Sequence, residues 1–243
     1  MHRLLADTAS LESEFPVLSD AALRHLKVIR PKDGERIELF DGRGAWREFT
    51  WRGSRLAASG DIRRASREGR RGLVLFACVT KGSRWDWTVE KATELGATRI
   101  VPVVSERTIV RIPAEDRIPK RERWTRIAED AARQSDAKFL PEVCAPVGFG
   151  EALSMAEACE CYVGALVTPP PRDILSAVSS ASHDMSRPLA VFVGPEGDFT
   201  PEELAALVKV ASPVSLGPTV LRAETAAIYA LGVLKAHLDS EAR

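Results

Sequence analysis

VFVGPEGDFTPEEL, from Val191 to Leu204, is the stretch that decides the fold class. An apolar run is followed by Gly-Pro-Glu-Gly and then by helix-start signals, an order typical of the strand–turn–helix units of α/β domains. Thr200 suits the N-cap, Pro201 the first helical position, and Glu203 completes a capping box. The stretch therefore predicts a buried strand, a tight turn and a helix.

The glycine-rich turn does not match a phosphate-binding loop. A Walker loop needs a lysine and a Ser or Thr after its last glycine, whereas this turn holds Glu196 and Asp198. Two carboxylates next to a triphosphate would repel it in a poorly solvated site. By itself, the turn favours a plain strand-to-helix connection, as in any α/β protein.

A second loop of the same kind lies closer to the C-terminus. SLGPTVLRAETAA, Ser215 to Ala227, again runs from a strand through Gly-Pro into a helix, with Arg222 and Glu224 at the helix entry. Carboxyl ends of parallel strands meet at one sheet edge, where ligands bind. The run CYVGALV, which is followed by Thr168, could supply a third wall. The three segments predict a pocket for a neutral or cationic ligand such as a nucleoside with a sulfonium group.

Outside these loops, the sequence shows one pattern of residues before Arg71 and another after it. Beyond Arg71, apolar runs such as LVLFACV and RIVPVV alternate with helical patterns such as DWTVEKATELG and RERWTRIAEDAARQS. This βαβ order predicts a parallel sheet covered on both faces. Before Arg71, RIELFDG and AWREFTW predict a hairpin, and SDAALRHLKVIR predicts one helix capped by Ser19 or Asp20. We therefore predict a β module over 1–71 and an α/β domain over 72–243.

Charge and composition exclude little on their own. The chain has 34 basic and 34 acidic residues, yet nine arginines and three acids lie between Arg43 and Arg71. Such a basic segment suits either a polyanion or a solvated surface. The four cysteines form no CxxC pair and the four histidines have no ligand spacing, so no metal is expected. No signal peptide or membrane span is apparent, which predicts a cytoplasmic protein without a membrane partner.

GPEGDFTPEEL followed by LGPTVLRAETAAIYAL resembles the ribosomal RNA small subunit methyltransferase E family, within the SPOUT methyltransferases. Further matching segments are RHLKVIRPKDGERIELFDG, KGSRWDWTVEKATELGATRIVPVVSERT and RWTRIAEDAARQS. The resemblance covers nearly the whole chain. It implies a PUA-like β-barrel, an RNA-binding domain, before a SPOUT domain with a trefoil knot, and a homodimer.

The resemblance also implies a reaction and a cofactor. The family methylates N3 of one uridine near the decoding region of 16S rRNA, on the small ribosomal subunit, with S-adenosylmethionine (SAM). Three loops would hold SAM through the residues Leu166, Val167, Thr168, Gly194, Pro195, Glu196, Gly197, Leu216, Gly217, Leu221, Arg222, Ala223, Thr225 and Ala226.

N3 of uracil carries a proton and lies on the pairing edge, so the base must be unpaired and deprotonated before it is methylated. Arg222 is a candidate for stabilising the uracil anion, and Glu224 for orienting Arg222 or accepting the proton. The same pair could instead form a salt bridge at a helix N-terminus. Candidate RNA contacts are Arg24, Arg30, Lys81, Arg84, Arg107 and Arg111.

Three positions depart from the family pattern. RQSDAKF, 133–139, stands where Glu-Gln-Ser/Cys-Gly-Arg is common, Thr219 replaces a basic residue, and Asp198 replaces a glycine. These changes concern RNA affinity and substrate choice rather than methyl chemistry. Two alternatives follow: a SPOUT methyltransferase with another RNA target, and a non-catalytic, ribosome-associated RNA-binding protein.

Overall fold

The structure is a computed structural model that describes residues 1–181 and 183–241. The chain forms two compact units: residues 1–68 with 129–140, and residues 69–128 with 141–241. The first unit thus ends three residues before the predicted boundary at Arg71 and includes a later segment of chain. Within the described residues, no helix is long and apolar enough to cross a membrane.

The first unit contains a five-stranded sheet and two helices. Its elements are β1 (His2–Leu5), α1 (Thr8–Glu12), α2 (Asp20–Ile29), β2 (Arg36–Phe40), β3 (Ala45–Arg52), β4 (Arg55–Ala58) and β5 (Arg63–Arg64). The strand order is β1-β2-β3-β4, with β5 also paired to β3. The predicted hairpin is β2–β3, and Ser19 is the cap of α2, since its Oγ accepts a hydrogen bond from Ala22 N.

Segment 129–140 joins the first unit through the β2–β3 turn. Gly44 N donates to Lys138 O at 2.9 Å, and Leu140 N donates to Gly42 O at 2.8 Å. Asp136, at a position where glycine is common in the family, adopts a φ of 59°. Its carboxylate lies 2.8 Å from Lys138 Nζ. The altered segment 133–139 therefore has a structural role within the first unit.

The second unit is an α/β domain with a parallel sheet, as predicted. Its strands are β6 (Leu73–Cys78), β7 (Arg99–Val104), β8 (Glu142–Val143), β9 (Val147–Gly148), β10 (Glu160–Gly164), β11 (Leu189–Val193) and β12 (Ala211–Val214). The order is β12-β10-β11-β6-β7-β8, with β9 also paired to β7. Every pairing in this sheet is parallel.

Helices cover both faces of this sheet. They are α3 (Ser83–Glu94), α5 (Phe149–Ala156), α6 (Ile174–Ser180), α7 (Pro201–Leu207) and α8 (Ala223–Glu241), while α4 (Arg117–Gln134) begins in the second unit and ends in segment 129–140. Alternate residues of β6 enter two separate cores: Leu75 packs in one, and Phe76 stacks on Phe192 of β11 in the other. A strand buried on both faces explains the continuous apolar run LVLFACV.

Candidate active site

Three neighbouring strands end at a single cavity. β10 lies between β11 and β12, so the loops that follow these strands leave the sheet side by side. They enclose a cavity of about 320 Å³. It is lined by Gly164, Ala165, Leu166, Val193, Gly194, Pro195, Glu196, Asp198, Ser215, Leu216, Gly217, Thr219, Val220, Leu221, Arg222, Ala223 and Ala226.

Most of the residues predicted to hold the cofactor line this cavity. Those that do not are Val167, Thr168, Gly197 and Thr225. Sequence reasoning missed seven lining residues: Gly164, Ala165, Val193, Ser215, Val220, Asp198 and Thr219. The first four lie at or next to the last residue of β10, β11 or β12, so a more exact placement of the strand ends would have found them.

The β11–α7 loop is held in place by its own backbone and by the helix cap. Asp198 has a φ of 58°, and its Oδ1 accepts a hydrogen bond from Phe199 N at 2.8 Å. A Cβ on Gly194 would lie 3.2 Å from both the Asp198 carboxylate and the Phe199 ring. A larger residue at 194 would require these neighbours to shift by a few tenths of an ångström, which favours glycine at the first position of GPEG.

The predicted capping box is present at the start of α7. Thr200 Oγ1 accepts from Glu203 N at 3.2 Å, and Glu203 Oε2 accepts from Thr200 N at 3.1 Å. The other carboxylate oxygen, Oε1, accepts from Glu106 N at 2.9 Å in the loop after β7. Glu203 is buried, so one carboxylate fixes both the helix start and the loop next to it.

Arg222 and Glu224, at the entry to α8, do not form an ion pair in the described part of the chain. Arg222 lines the cavity. Glu224 is only 9% exposed, and its Oε2 is buried without a hydrogen-bond partner. Leaving a carboxylate oxygen buried and unpaired is costly, which makes Glu224 stand out as a functional candidate.

Two of the basic residues predicted to contact RNA reach the β11–α7 loop instead of standing free. Arg84 Nη1 donates to Glu196 Oε1 at 3.1 Å, and Arg107 Nη1 donates to Gly197 O at 2.9 Å. Lys81 is exposed. In the first unit, Arg24 lies on α2, and Arg30 caps its C-terminus with a φ of 50°.

Two features outside the cavity concern cysteine and histidine side chains. Burial raises the pKa of Cys78 to about 12, as expected for a thiol that packs as a small apolar group. Ligand atoms of His183, His237 and Glu241 lie within 4.8 Å of one another. However, both ring nitrogens of His183 are engaged, by the Glu160 carboxylate and by Val178 O.

Comparison with known proteins identifies the family of this fold and cavity. Residues 67–235 match the model of the RNA methyltransferase domain. Ribosomal RNA small subunit methyltransferase E of a Synechocystis species is 31% identical over 98% of this chain and 78% of the relative. The chain belongs to the ribosomal RNA small subunit methyltransferase E family. The Mycobacterium bovis member is 30% identical over 92% of this chain and 87% of its own length.

Solved structures of methyltransferases match the chain along its length. A Legionella pneumophila methyltransferase in complex with SAM has a TM-score of 0.86 at 27% identity, over 98% of both chains. The family member from Neisseria gonorrhoeae, also bound to SAM, has a TM-score of 0.79 at 28% identity, again over 98% of both chains. Both likenesses include the region of the three-loop cavity.

Proposed function

We propose that this protein methylates N3 of one uridine in the decoding region of 16S rRNA, on the small ribosomal subunit, with SAM as methyl donor. The observation that supports this most directly is the cavity at the ends of β10, β11 and β12. The cavity is lined by the loops that the family pattern assigns to SAM. The family membership that supports this assignment rests on similarity over 98% of the chain.

The lining of the cavity fits SAM. A volume of about 320 Å³ lies at the lower end of small-ligand sites. Apolar side chains and glycines leave room and backbone groups for an adenosine, while the Glu196 and Asp198 carboxylates suit its cationic part. When bound, SAM supplies an electrophilic methyl group on a positively charged sulfur. A polyphosphate would meet two carboxylates and no lysine among the lining residues.

Arg222 and Glu224 would act on the uracil. Arg222 lines the cavity, and its guanidinium can donate to a carbonyl oxygen beside N3, which stabilises the anion formed when N3 loses its proton. Glu224 has no ion pair with Arg222 among the described contacts, and this favours the role of proton acceptor over that of orienting Arg222. Its Oε2 is buried without a hydrogen-bond partner among the described residues, although Glu224 itself is not among the residues that line the cavity.

RNA recognition would involve both units. Arg24 and Arg30 belong to the first unit, and Lys81, Arg84, Arg107 and Arg111 to the second. Contacts between such groups and phosphates weaken steeply as salt increases. We also propose that the five-stranded sheet of the first unit is a PUA-like barrel and that the SPOUT domain, broadly residues 72–243, contains the trefoil knot implied by the family resemblance.

We further propose that the protein acts as a homodimer in the cytoplasm. The second unit exposes large apolar side chains, among them Leu166, Val167, Val220 and Tyr229. Such side chains are available to a partner surface, the family resemblance implies a homodimer, and a two-fold pair is the commonest symmetry of protein oligomers.

The test is to incubate the protein and methyl-labelled SAM with small ribosomal subunits that lack this mark, and then to map the labelled nucleosides. Label as 3-methyluridine at one position is the expected result. Label on another nucleoside or another RNA would instead favour a different target within the same family. Absence of SAM binding would contradict the proposal and leave the RNA-binding alternative.

A further inference from the structure

The Arg84–Glu196 pair links a segment with proposed RNA contacts to the cavity. Arg84 is at the start of α3, and Glu196 is in the β11–α7 loop, where it lines the cavity. Their side chains are 41% and 28% exposed, so solvent and ligands can reach both. Neither side chain has a second ion-pair partner in the described part of the chain.

We propose that Glu196 holds Arg84 away from RNA until the cofactor is bound, so that cofactor occupancy raises RNA affinity. The inference rests on the proposed function, since it takes the cavity as the SAM site and Arg84 as a phosphate contact. Glu196 would then be a regulatory group, because binding of the cofactor changes its ion pair with Arg84 and thereby the RNA affinity.

The charges determine the sign of this coupling. With the cavity empty, a phosphate approaching Arg84 must compete with the Glu196 carboxylate at 3.1 Å and is repelled by it. SAM brings an ammonium and a sulfonium into the cavity that Glu196 lines, and either group offers the carboxylate another cationic partner. Arg84 is then available to a phosphate, and by linkage the RNA tightens cofactor binding by the same factor.

The strength of the pair suits a switch. Partly exposed ion pairs contribute little net free energy, so a ligand with modest differential contacts can displace one. Arg107, in the segment after β7, offers a contrast, because it donates to the neutral carbonyl oxygen of Gly197 and forms no ion pair with any described residue. The coupling is therefore specific to Glu196 and Arg84.

The experiment measures the affinity for small ribosomal subunits lacking the mark, with and without a saturating unreactive cofactor analogue, the amine sinefungin. In the unmodified protein, the analogue should tighten subunit binding by about two- to fivefold, the range for an exposed ion pair. Glu196→Gln should bind subunits without the analogue as tightly as the unmodified protein does with it. Its affinity should then not respond to the analogue.

Lys81→Gln is the matched control, because Lys81 belongs to the same basic segment but has no described contact with the loop. It should weaken subunit binding equally with and without the analogue, leaving the coupling intact. Thermal midpoints close to that of the unmodified protein check that both variants fold.

Calorimetry with SAM separates the two hypotheses. If the unmodified protein does not bind SAM, the proposed function fails and the inference fails with it. If it binds SAM but its subunit affinity is the same with and without the analogue, only the coupling is overturned. Retention of the full coupling by Glu196→Gln would overturn it as well.

Discussion

At the scale of single residues, the active-site proposal depends on the two side chains at the entry to α8. We expect Arg222→Gln to lower kcat about 100-fold, with a small change in SAM affinity, because it removes a donor to the developing uracil anion. Single-turnover methylation of small subunits is the measurement, with SAM binding by calorimetry in parallel. An equal loss of SAM affinity and rate would instead assign Arg222 to cofactor binding.

Glu224→Gln tests the proton acceptor. The variant keeps the shape of the side chain but cannot take a proton, so the rate should fall and lose the acid limb of its pH profile. Glu224→Asp should retain that limb at a lower rate. If Glu224→Gln keeps a pH profile parallel to that of the unmodified protein, Glu224 has only a structural role.

Glu160 gives a residue-scale prediction for stability. Burial raises the pKa of its carboxyl, but hydrogen bonds from Arg71 and His183 outweigh this, and the folded-state pKa is lowered from 4.5. A lowered carboxyl pKa stabilises the fold above the unfolded value, and the gain is lost as pH falls through the folded value. Glu160→Gln should therefore unfold at a lower temperature at pH 7, and the difference should shrink below about pH 4.5. Thermal melts across pH 3 to 7 measure it. A difference that stays constant with pH would contradict the assignment.

At the scale of elements, the cap of α7 supports the β11–α7 loop. Thr200→Ala removes the acceptor for Glu203 N and should lower the free energy of unfolding by about 1 kcal/mol. SAM affinity should also fall, since the loop that lines the cavity enters this helix. Thr200→Ser keeps the hydroxyl and should behave like the unmodified protein in denaturant melts and SAM titrations. Loss of stability in both variants would mean that the methyl group, not the cap, matters.

Gly44 fixes the junction of the β2–β3 turn with segment 129–140. It has a φ of 105°, and a Cβ there would lie 2.7 Å from the Phe139 ring and 2.8 Å from Ala65 O. Gly44→Ala should lower the free energy of unfolding by about 3 kcal/mol, since the strain of a positive φ is added to a clash with the backbone. Gly34→Ala has a comparable φ of 82° but open space, and should cost only about 1 kcal/mol. Similar melts for the two variants would show that the clash relaxes.

The elements that sequence reasoning predicted are those whose signals are local. Thr200, Pro201 and Glu203 lie within one turn of helix, and the alternation of apolar runs and helical patterns indicated the parallel sheet. The short strand β1 was not predicted, because four residues give too little pattern and its pairing with β2 is set by distant contacts. The Arg84–Glu196 bond joins positions 112 residues apart. No spacing rule could pair them.

At the scale of the whole molecule, the homodimer proposal leads to a test of assembly. Tyr229 on α8 is 46% exposed, and a charge placed in a dimer interface would remain unpaired on burial. Tyr229→Glu should shift the protein toward monomer in size-exclusion chromatography with light scattering. Val28→Glu, at an exposed apolar position of the first unit, is the control and should leave the mass unchanged. An unaltered mass for Tyr229→Glu would place the interface elsewhere.

The division into units could be predicted only in part from the sequence. The change in sequence pattern predicted a boundary at Arg71, whereas the chain passes from the first compact unit to the second after Glu68. The return of 129–140 to the first unit could not be read from composition, because the segment begins inside the continuous helix α4. It is held by backbone bonds such as that from Leu140 N to Gly42 O. Backbone hydrogen bonds do not depend on side-chain type, so the pattern of side chains cannot predict them.

That return has a consequence for biosynthesis. The strands of the first unit leave the ribosomal tunnel early, but their partner segment follows only after the chain has been translated through Leu140. The nascent β module therefore stays incomplete while the first strands of the second unit are being made. During that time Gly42 and Gly44 lack their hydrogen-bond partners, Leu140 and Lys138. This protein would thus complete its amino-terminal module during synthesis only after β6 and β7 of the second unit have been made.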